Sequence, residues 1–240
     1  MQTEKIEQKR ILVVDDHPIV REGLLERINR NADLKVCGEA SNSNSVLRLV
    51  EKLKPHLVLL DINLPGRSGL EVIKDLRAAH PGVLVLALSM HDEEVYAERV
   101  LRAGGRGYVN KETGGQTVIE AIRRILDGEI YVSAKVNTTI LDGLAGRSNF
   151  RAKSRATRLT DRELEVLRLI GSGKESREVA RELSMSLKTV ETHRSNIKRK
   201  LRLSTGAQLM RYAVLWIEGR KAGTTRRASD TNSVARLDRD

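Results

Sequence analysis

Aromatic side chains make up only 2% of the 240 residues, and the chain holds a single cysteine and four prolines. So few aromatic faces leave little with which to stack single-stranded bases. One cysteine, Cys37, excludes an internal disulfide framework and a thiolate metal cluster. Its setting, Leu34-Lys35-Val36-Cys37-Gly38, predicts a small buried strand residue. Long apolar runs are also missing: residues 83–88 are typical of the longest, against the roughly 20 residues of a membrane span. Residues 1–10 are charged and have no apolar centre, so they do not read as a secretory signal. What is present, 40% hydrophobic and 31% charged residues, predicts a soluble globular protein of one large domain or two small ones.

Positive charge is abundant but unevenly placed. The formal net charge is +11, yet residues 1–132 hold 19 Lys+Arg against 20 Asp+Glu. The remaining 24 basic and 12 acidic groups lie in residues 133–240. A neutral first part joined to a basic second part predicts a module that meets a polyanion. Duplex DNA is the partner that this charge and the shortage of aromatics favour.

The first part alternates strands and helices. Residues 11–14, 34–38, 57–60, 83–88 and 108–109 are short apolar or β-branched runs. Between them lie amphipathic stretches, the first opened by Pro18, which suits a first helical turn because its missing N–H leaves no bond unmade. A further helix carries Val118, Ile119, Ile122 and Ile125, and Thr113-Gly114-Gly115-Gln116 before it matches a capping box. Five strands and five helices predict a doubly wound α/β domain of flavodoxin-like order 2-1-3-4-5, with strands 1 and 3 adjacent. The run Gly104-Gly105-Arg106-Gly107 follows a helix, not a strand, and predicts a tight turn and not a phosphate loop.

That order gathers five groups at one rim of the sheet. Asp15 and Asp16 end strand 1, Asp61 ends strand 3, Ser89 ends strand 4 and Lys111 ends strand 5. Three neighbouring carboxylates need a cation to stay ionised. Oxygen ligands without Cys or His favour Mg2+ over zinc or copper. A hydroxyl and an ammonium opposite them suit an incoming phosphoryl group, and a carboxylate nucleophile needs no separate base. His17, beside Pro18, reads as a helix-start residue, because the oxygen donors already suffice for a metal.

The blocks Ile11-Leu12-Val13-Val14-Asp15-Asp16-His17-Pro18, Asp61-Ile62-Asn63-Leu64-Pro65-Gly66, Ser89-Met90-His91-Asp92 and Gly107-Tyr108-Val109-Asn110-Lys111 resemble receiver domains of bacterial two-component response regulators. The resemblance implies that Asp61 accepts a phosphoryl group from a sensor histidine kinase. It implies that Asp15, Asp16, Asp61 and the backbone carbonyl of Asn63 hold Mg2+. Ser89 and Lys111 would contact the phosphoryl oxygens, and Tyr108 would be the switch aromatic. The chain would then be no enzyme beyond accepting its own aspartyl phosphate and slowly losing it. Many receivers follow the lysine with proline; Glu112 stands here, and the NarL/FixJ-type subgroup often lacks that proline.

Residues 129–154 predict a linker: a helix over 137–144, then small, polar and basic residues around Gly146-Arg147-Ser148-Asn149 and Lys153-Ser154-Arg155. Thr160-Asp161-Arg162-Glu163 is another capping box, followed by a helix that ends at Gly171 and Gly173. A short helix over 176–183, a tight connection at Met185 and a basic helix Leu187–Leu201 capped by Ser186 describe a helix-turn-helix. Helical spacing buries Val190, Ile197 and Leu201, puts His193 at the edge, and turns Lys188, Glu191, Thr192, Ser195, Lys198 and Arg199 outward to the major groove. Ser204 or Thr205 starts a last helix, and the basic tail 218–240 reads as disordered.

Leu159-Thr160-Asp161-Arg162-Glu163-Leu164-Glu165-Val166-Leu167 and Lys188-Thr189-Val190-Glu191-Thr192-His193 are similar to LuxR-type DNA-binding domains, over residues 155–217. The similarity implies that Lys188, Thr189 and Arg194 contact phosphates while Glu191, Thr192 and Ser195 approach base edges. It also implies a homodimer on an operator, RNA polymerase as a further partner, and a bacterial cytoplasmic location. The receiver would span residues 9–128. The expected function is therefore a DNA-binding transcription regulator switched at Asp61. An aspartyl-phosphate phosphohydrolase is the alternative from the enzyme class, but Asn63 stands where a second Asp would serve as its general acid. A constitutive DNA binder with an inert first domain is the third, against which the complete acidic set argues.

Overall fold

The computed structural model describes residues 8–64, 67–90, 93–144 and 158–230, with side chains to Asp142 before the gap at 145–157 and to Glu218 in the last helix. The predicted features at Pro65-Gly66, His91-Asp92, Gly146–Asn149 and Lys153–Arg155 lie outside them. The chain divides into two units, residues 1–151 and 152–240.

In the first unit, strands β1 (Lys9–Val14), β2 (Leu34–Ala40), β3 (Leu57–Asp61), β4 (Leu84–Ser89) and β5 (Gly107–Asn110) form one parallel sheet ordered β2-β1-β3-β4-β5. This is the predicted order. Between them run α1 (Pro18–Asn29), α2 (Val46–Leu53), α3 (Gly69–Ala79) and α4 (Glu93–Ala103), with α5 (Gly115–Leu126) closing the domain. Every residue of β3 is buried, as a central parallel strand covered on both faces requires. One face of the sheet packs Ile11, Val13, Leu57, Leu59, Leu86 and Leu88 against Ile28 of α1 and Ile119, Ile122 and Ile125 of α5. Cys37 is only half-buried, not buried as expected, because β2 is an edge strand; its thiol faces the Ile11 carbonyl at 3.4 Å.

The predicted cap of α5 is absent. Lys111–Thr113 forms a single 3-10 turn, and Gly114 at φ +83 heads the helix without a side-chain cap. Gly114, not Thr113, takes the N-cap position, and Thr113 stays in the preceding turn, where its hydroxyl donates to the Asn110 carbonyl at 2.7 Å. Gly104, at φ +111, ends α4 in the left-handed conformation of a helix C-terminus, which confirms the tight turn. A helix α6 (Ala134–Leu144) follows, starting before the predicted 137.

The second unit is helical: α7 (Asp161–Gly171), α8 (Ser176–Glu182), α9 (Leu187–Leu201) and α10 (Gly206–Asp230). Here the predicted capping box is present: Thr160 Oγ1 accepts from the Glu163 N–H, and the Glu163 carboxylate accepts from the Thr160 N–H at 2.7 Å. The Ser186 hydroxyl caps α9 by accepting from the Thr189 N–H at 3.1 Å. Composition predicts disorder from residue 218, whereas α10 continues to Asp230, since each i to i−4 hydrogen bond needs only the preceding turn of the same helix. No helix among the described residues is long and apolar enough to cross a membrane.

Candidate functional site

Parallel strands end in register, so the carboxyl edge of the sheet collects the last residue of each. Asp61 pairs with Leu88, and Ser89, one residue on, pairs with Asn110 beside Lys111. Asp15 follows directly on Val14 at the end of β1. Asp15, Asp61 and Ser89 are all buried. Gly69 lets α3 start against this edge: a Cβ there would stand 2.6 Å from Ile62 Cα and 2.8 Å from the Asp61 carbonyl.

One cation holds two of the carboxylates. Lys111 Nζ lies 2.6 Å from Asp15 Oδ2 and 2.7 Å from Asp61 Oδ2. The other Asp61 oxygen accepts from the Asn63 N–H at 2.9 Å, and Asp15 Oδ1 accepts from the His17 N–H at 2.9 Å. Burial pushes the Asp61 pKa up, opposed but not overcome by Lys111 and the Asn63 amide, with Asp15 adding repulsion. Burial also works against the Lys111 ammonium, but attraction to Asp61 and bonds to both carboxylates outweigh it and raise its pKa.

The cation demand of the rim exceeds one lysine. Asp15 Oδ2 and Asp16 Oδ1 are buried, with Lys111 Nζ at 2.6 Å from the first and His17 Nδ1 at 2.9 Å from the second, so one ammonium serves three carboxylates. Oxygens of Asp15, Asp16 and Asp61 and a ring nitrogen of His17 all lie within 4.8 Å of one another. An oxygen-rich set of three carboxylates around one ammonium fits a hard divalent cation. His17 belongs to this cluster, which its helix-start reading did not foresee: it does precede α1, yet its Nδ1 sits 2.9 Å from Asp16 Oδ1. The backbone turn aims it there, and sequence spacing carries no sign of that. Tyr108 is buried in β5, with its N–H bound to the Tyr131 carbonyl at 2.9 Å.

Helix α9 presents the predicted faces. Val190, Ile197 and Leu201 are buried, and Lys188, Thr189, Glu191, Thr192, Ser195 and Arg199 are exposed. Lys198 and Arg194 are only half-exposed. Several outward groups are already engaged. The Thr192 hydroxyl donates to the Lys188 carbonyl at 2.9 Å, which leaves its acceptor lone pairs and its methyl for a base edge. Glu191 accepts from the Ser176 hydroxyl of α8 at 2.6 Å and lies 3.7 Å from Arg194 Nε. Leu187, 44% exposed at the start of α9, is an outward apolar residue that polar patterning missed. Buried Glu163 pairs with Lys200 at 2.6 Å and so ties α7 to the end of α9.

A doubly wound sheet with an acidic, lysine-bearing rim, followed in the same chain by a basic helix-turn-helix, defines a class: a signalling domain joined to a DNA-binding one. Two family models match accordingly, the response regulator receiver domain over residues 11–123 and the luxR family of bacterial regulatory proteins over residues 157–213. The oxygen regulatory protein NreC of Staphylococcus aureus (strain MRSA252) is 34% identical over 209 residues, which are 85% of this chain and 96% of that protein. A two-component response regulator of the LuxR family from Aurantimonas sp. SI85-9A1 is 32% identical, with a TM-score of 0.54 over 58% of this chain and 99% of that one. RcsB from Salmonella enterica serovar Typhimurium, solved bound to a promoter in the presence of phosphomimetic BeF3-, is 25% identical, with a TM-score of 0.63 over 86% and 98%. The chain belongs to the two-component response regulators of NarL/FixJ type, a receiver joined to a LuxR-type helix-turn-helix domain. It is a DNA-binding transcription regulator and not an ordinary enzyme.

Proposed function

We propose that Asp61 is the phosphoacceptor and that its modification by a sensor histidine kinase switches DNA binding by α9. The observation that carries this reading is the buried Asp61 carboxylate held 2.7 Å from Lys111 beside the carboxylates of Asp15 and Asp16. An Asp61 oxygen attacks phosphorus, the bond from phosphorus to the kinase histidine breaks, and that nitrogen keeps the electron pair. Lys111 pairs with the phosphoryl oxygens, and Ser89, at the neighbouring strand end, donates its hydroxyl to one of them. Tyr108 moves with Ser89. Asp15, Asp16, Asp61 and the Asn63 carbonyl would hold Mg2+, which supplies charge neutralisation at the phosphoryl group. No second carboxylate stands at Asn63 to drive rapid hydrolysis, so the aspartyl phosphate persists as a signal.

At the output, Lys188, Thr189, Arg194, Lys198 and Arg199 contact phosphates, and Thr192 and Ser195 face base edges in the major groove. Glu191 acts first on its own protein, holding Ser176 and Arg194. A second copy on the operator completes the complex, as the two-fold symmetry of such sites favours. The test is operator binding by wild type and Asp61→Ala, each with and without acetyl phosphate in Mg2+. Wild type gains affinity and a covalent phosphoryl group; Asp61→Ala gains neither. An equal response in both proteins refutes the assignment.

A further inference from the structure

The chain does not leave the receiver at Gly128. Tyr131 forms a parallel bridge with Gly107, donating its N–H to the Arg106 carbonyl at 3.0 Å and accepting from the Tyr108 N–H at 2.9 Å. Gly107 permits this approach, since a Cβ there would lie 2.7 Å from the Tyr131 carbonyl oxygen. The Arg124 guanidinium covers the Tyr131 ring, 5.3 Å from its centroid. Beyond it the Ser133 N–H donates to the Glu93 carboxylate, Lys135 pairs with Glu94, and Val136 is buried. Residues 131–136 thus run from the sheet edge to the first turn of α4, and α6 continues along that helix.

Both ends of this strap touch neighbours of the switch groups. Its carbonyl at Tyr131 holds the backbone of Tyr108, and its polar contacts hold Glu93 and Glu94, four and five residues beyond Ser89. Its polar contacts to α4 are partly exposed, with Lys135 at 53% and Glu94 at 39%, so a displacement of α4 weakens that end of the strap first. We propose that residues 131–144 are a strap that is docked on β5 and α4 while Asp61 is unmodified and released when Ser89 and Tyr108 move toward a phosphoryl group. Release adds 129–144 to the chain between the two domains and lengthens the reach of the DNA-binding domain. This rests on the assignment of Asp61 as phosphoacceptor.

Hydrogen exchange of the full chain in Mg2+, with and without acetyl phosphate, tests it, with intact mass read in parallel. The amides of Tyr131 and Asn137 are bonded in the docked strap, and phosphorylation speeds their exchange roughly tenfold, the signature of local opening. Lys135→Glu speeds the same amides without any phosphodonor, and adding Glu94→Lys restores protection, while β3 amides stay slow throughout. A phosphoryl adduct with unchanged exchange over 131–144 overturns the strap and leaves Asp61 standing. Unchanged exchange in Lys135→Glu also overturns it. Absence of any adduct on wild type removes the Asp61 assignment, and the link between strap and phosphorylation with it.

Discussion

Replacing Lys111 by Met tests the charge balance of the rim, because Met keeps most of the volume and removes the ammonium. Lys111 is 7% exposed, and its partners Asp15 and Asp61 are 0% and 1% exposed. Coulomb attraction at 2.6 Å is about 6 kcal/mol per contact at an effective dielectric constant near 20, most of it offset by the cost of desolvating the ammonium. Removing one partner of a buried pair leaves the others uncompensated and costs about 3–5 kcal/mol. The variant should therefore unfold its receiver at clearly lower urea. The chain's single Trp, Trp216, lies in the DNA-binding domain and reports that domain separately by fluorescence, while far-UV circular dichroism follows both. At one fixed Mg2+ concentration the stabilisation should be larger in the variant, whose rim binds the cation more tightly; it amounts to about 2.7 kcal/mol where that concentration is 100 times Kd. Falling pH should help as well. A carboxyl whose folded pKa lies above its unfolded value penalises the fold when ionised, so stability rises as pH falls through the folded value toward 3.8. That effect widens once Lys111 is gone. A loss below about 1 kcal/mol, or equal Mg2+ increments in both proteins, would mean that the rim is not the charge-frustrated site described.

Glu163→Gln should cost the DNA-binding domain about 1–2 kcal/mol, less than a fully buried pair because Lys200 is 30% exposed. Although burial opposes it, bonds from Lys200 and Thr160 hold the Glu163 pKa below 4.5; this stability is present above pH 4.5 and lost as pH falls through the folded value, an acid limb of the Trp216 transition that the variant lacks. Gly69→Ala should destabilise the receiver by about 1–3 kcal/mol, since the clash is with backbone at Ile62 and Asp61; an unchanged urea midpoint would contradict it. Lys188→Ala should weaken DNA binding to all sequences alike and lower the slope of log K against log salt by about 1, measured by fluorescence anisotropy. Ser176→Ala and Glu191→Gln should give matching losses of operator affinity with unchanged base preference in a selection from random duplexes; a relaxed preference at one base pair in Glu191→Gln alone would make Glu191 a reader.

Much of this molecule was legible in its sequence because the signals are local or periodic. Strand and helix alternation, burial of Val190, Ile197 and Leu201 at helical spacing, and the Thr160–Glu163 cap each depend on residues a few positions apart. Even the rim was legible, since in a parallel sheet the last residue of every strand must emerge at one edge. The misses share a different cause. Thr113 has the composition of a cap, but the turn after β5 sets it one residue before the N-cap, and Cys37 reads as buried from its apolar neighbours although the predicted strand order already puts β2 at the edge. His17 joins the acidic cluster through a backbone turn, Glu191 is drawn to Ser176 on another helix, and Tyr131 returns to Gly107 across the whole of α5. Sequence by itself determined which side chains carry ionisable groups, which alternate into a core, and therefore that a carboxylate would end a buried strand beside a lysine. Tertiary structure alone decided which unit spends each polar group, because hydrogen bonds and ion pairs between distant segments form only once packing has fixed their distances.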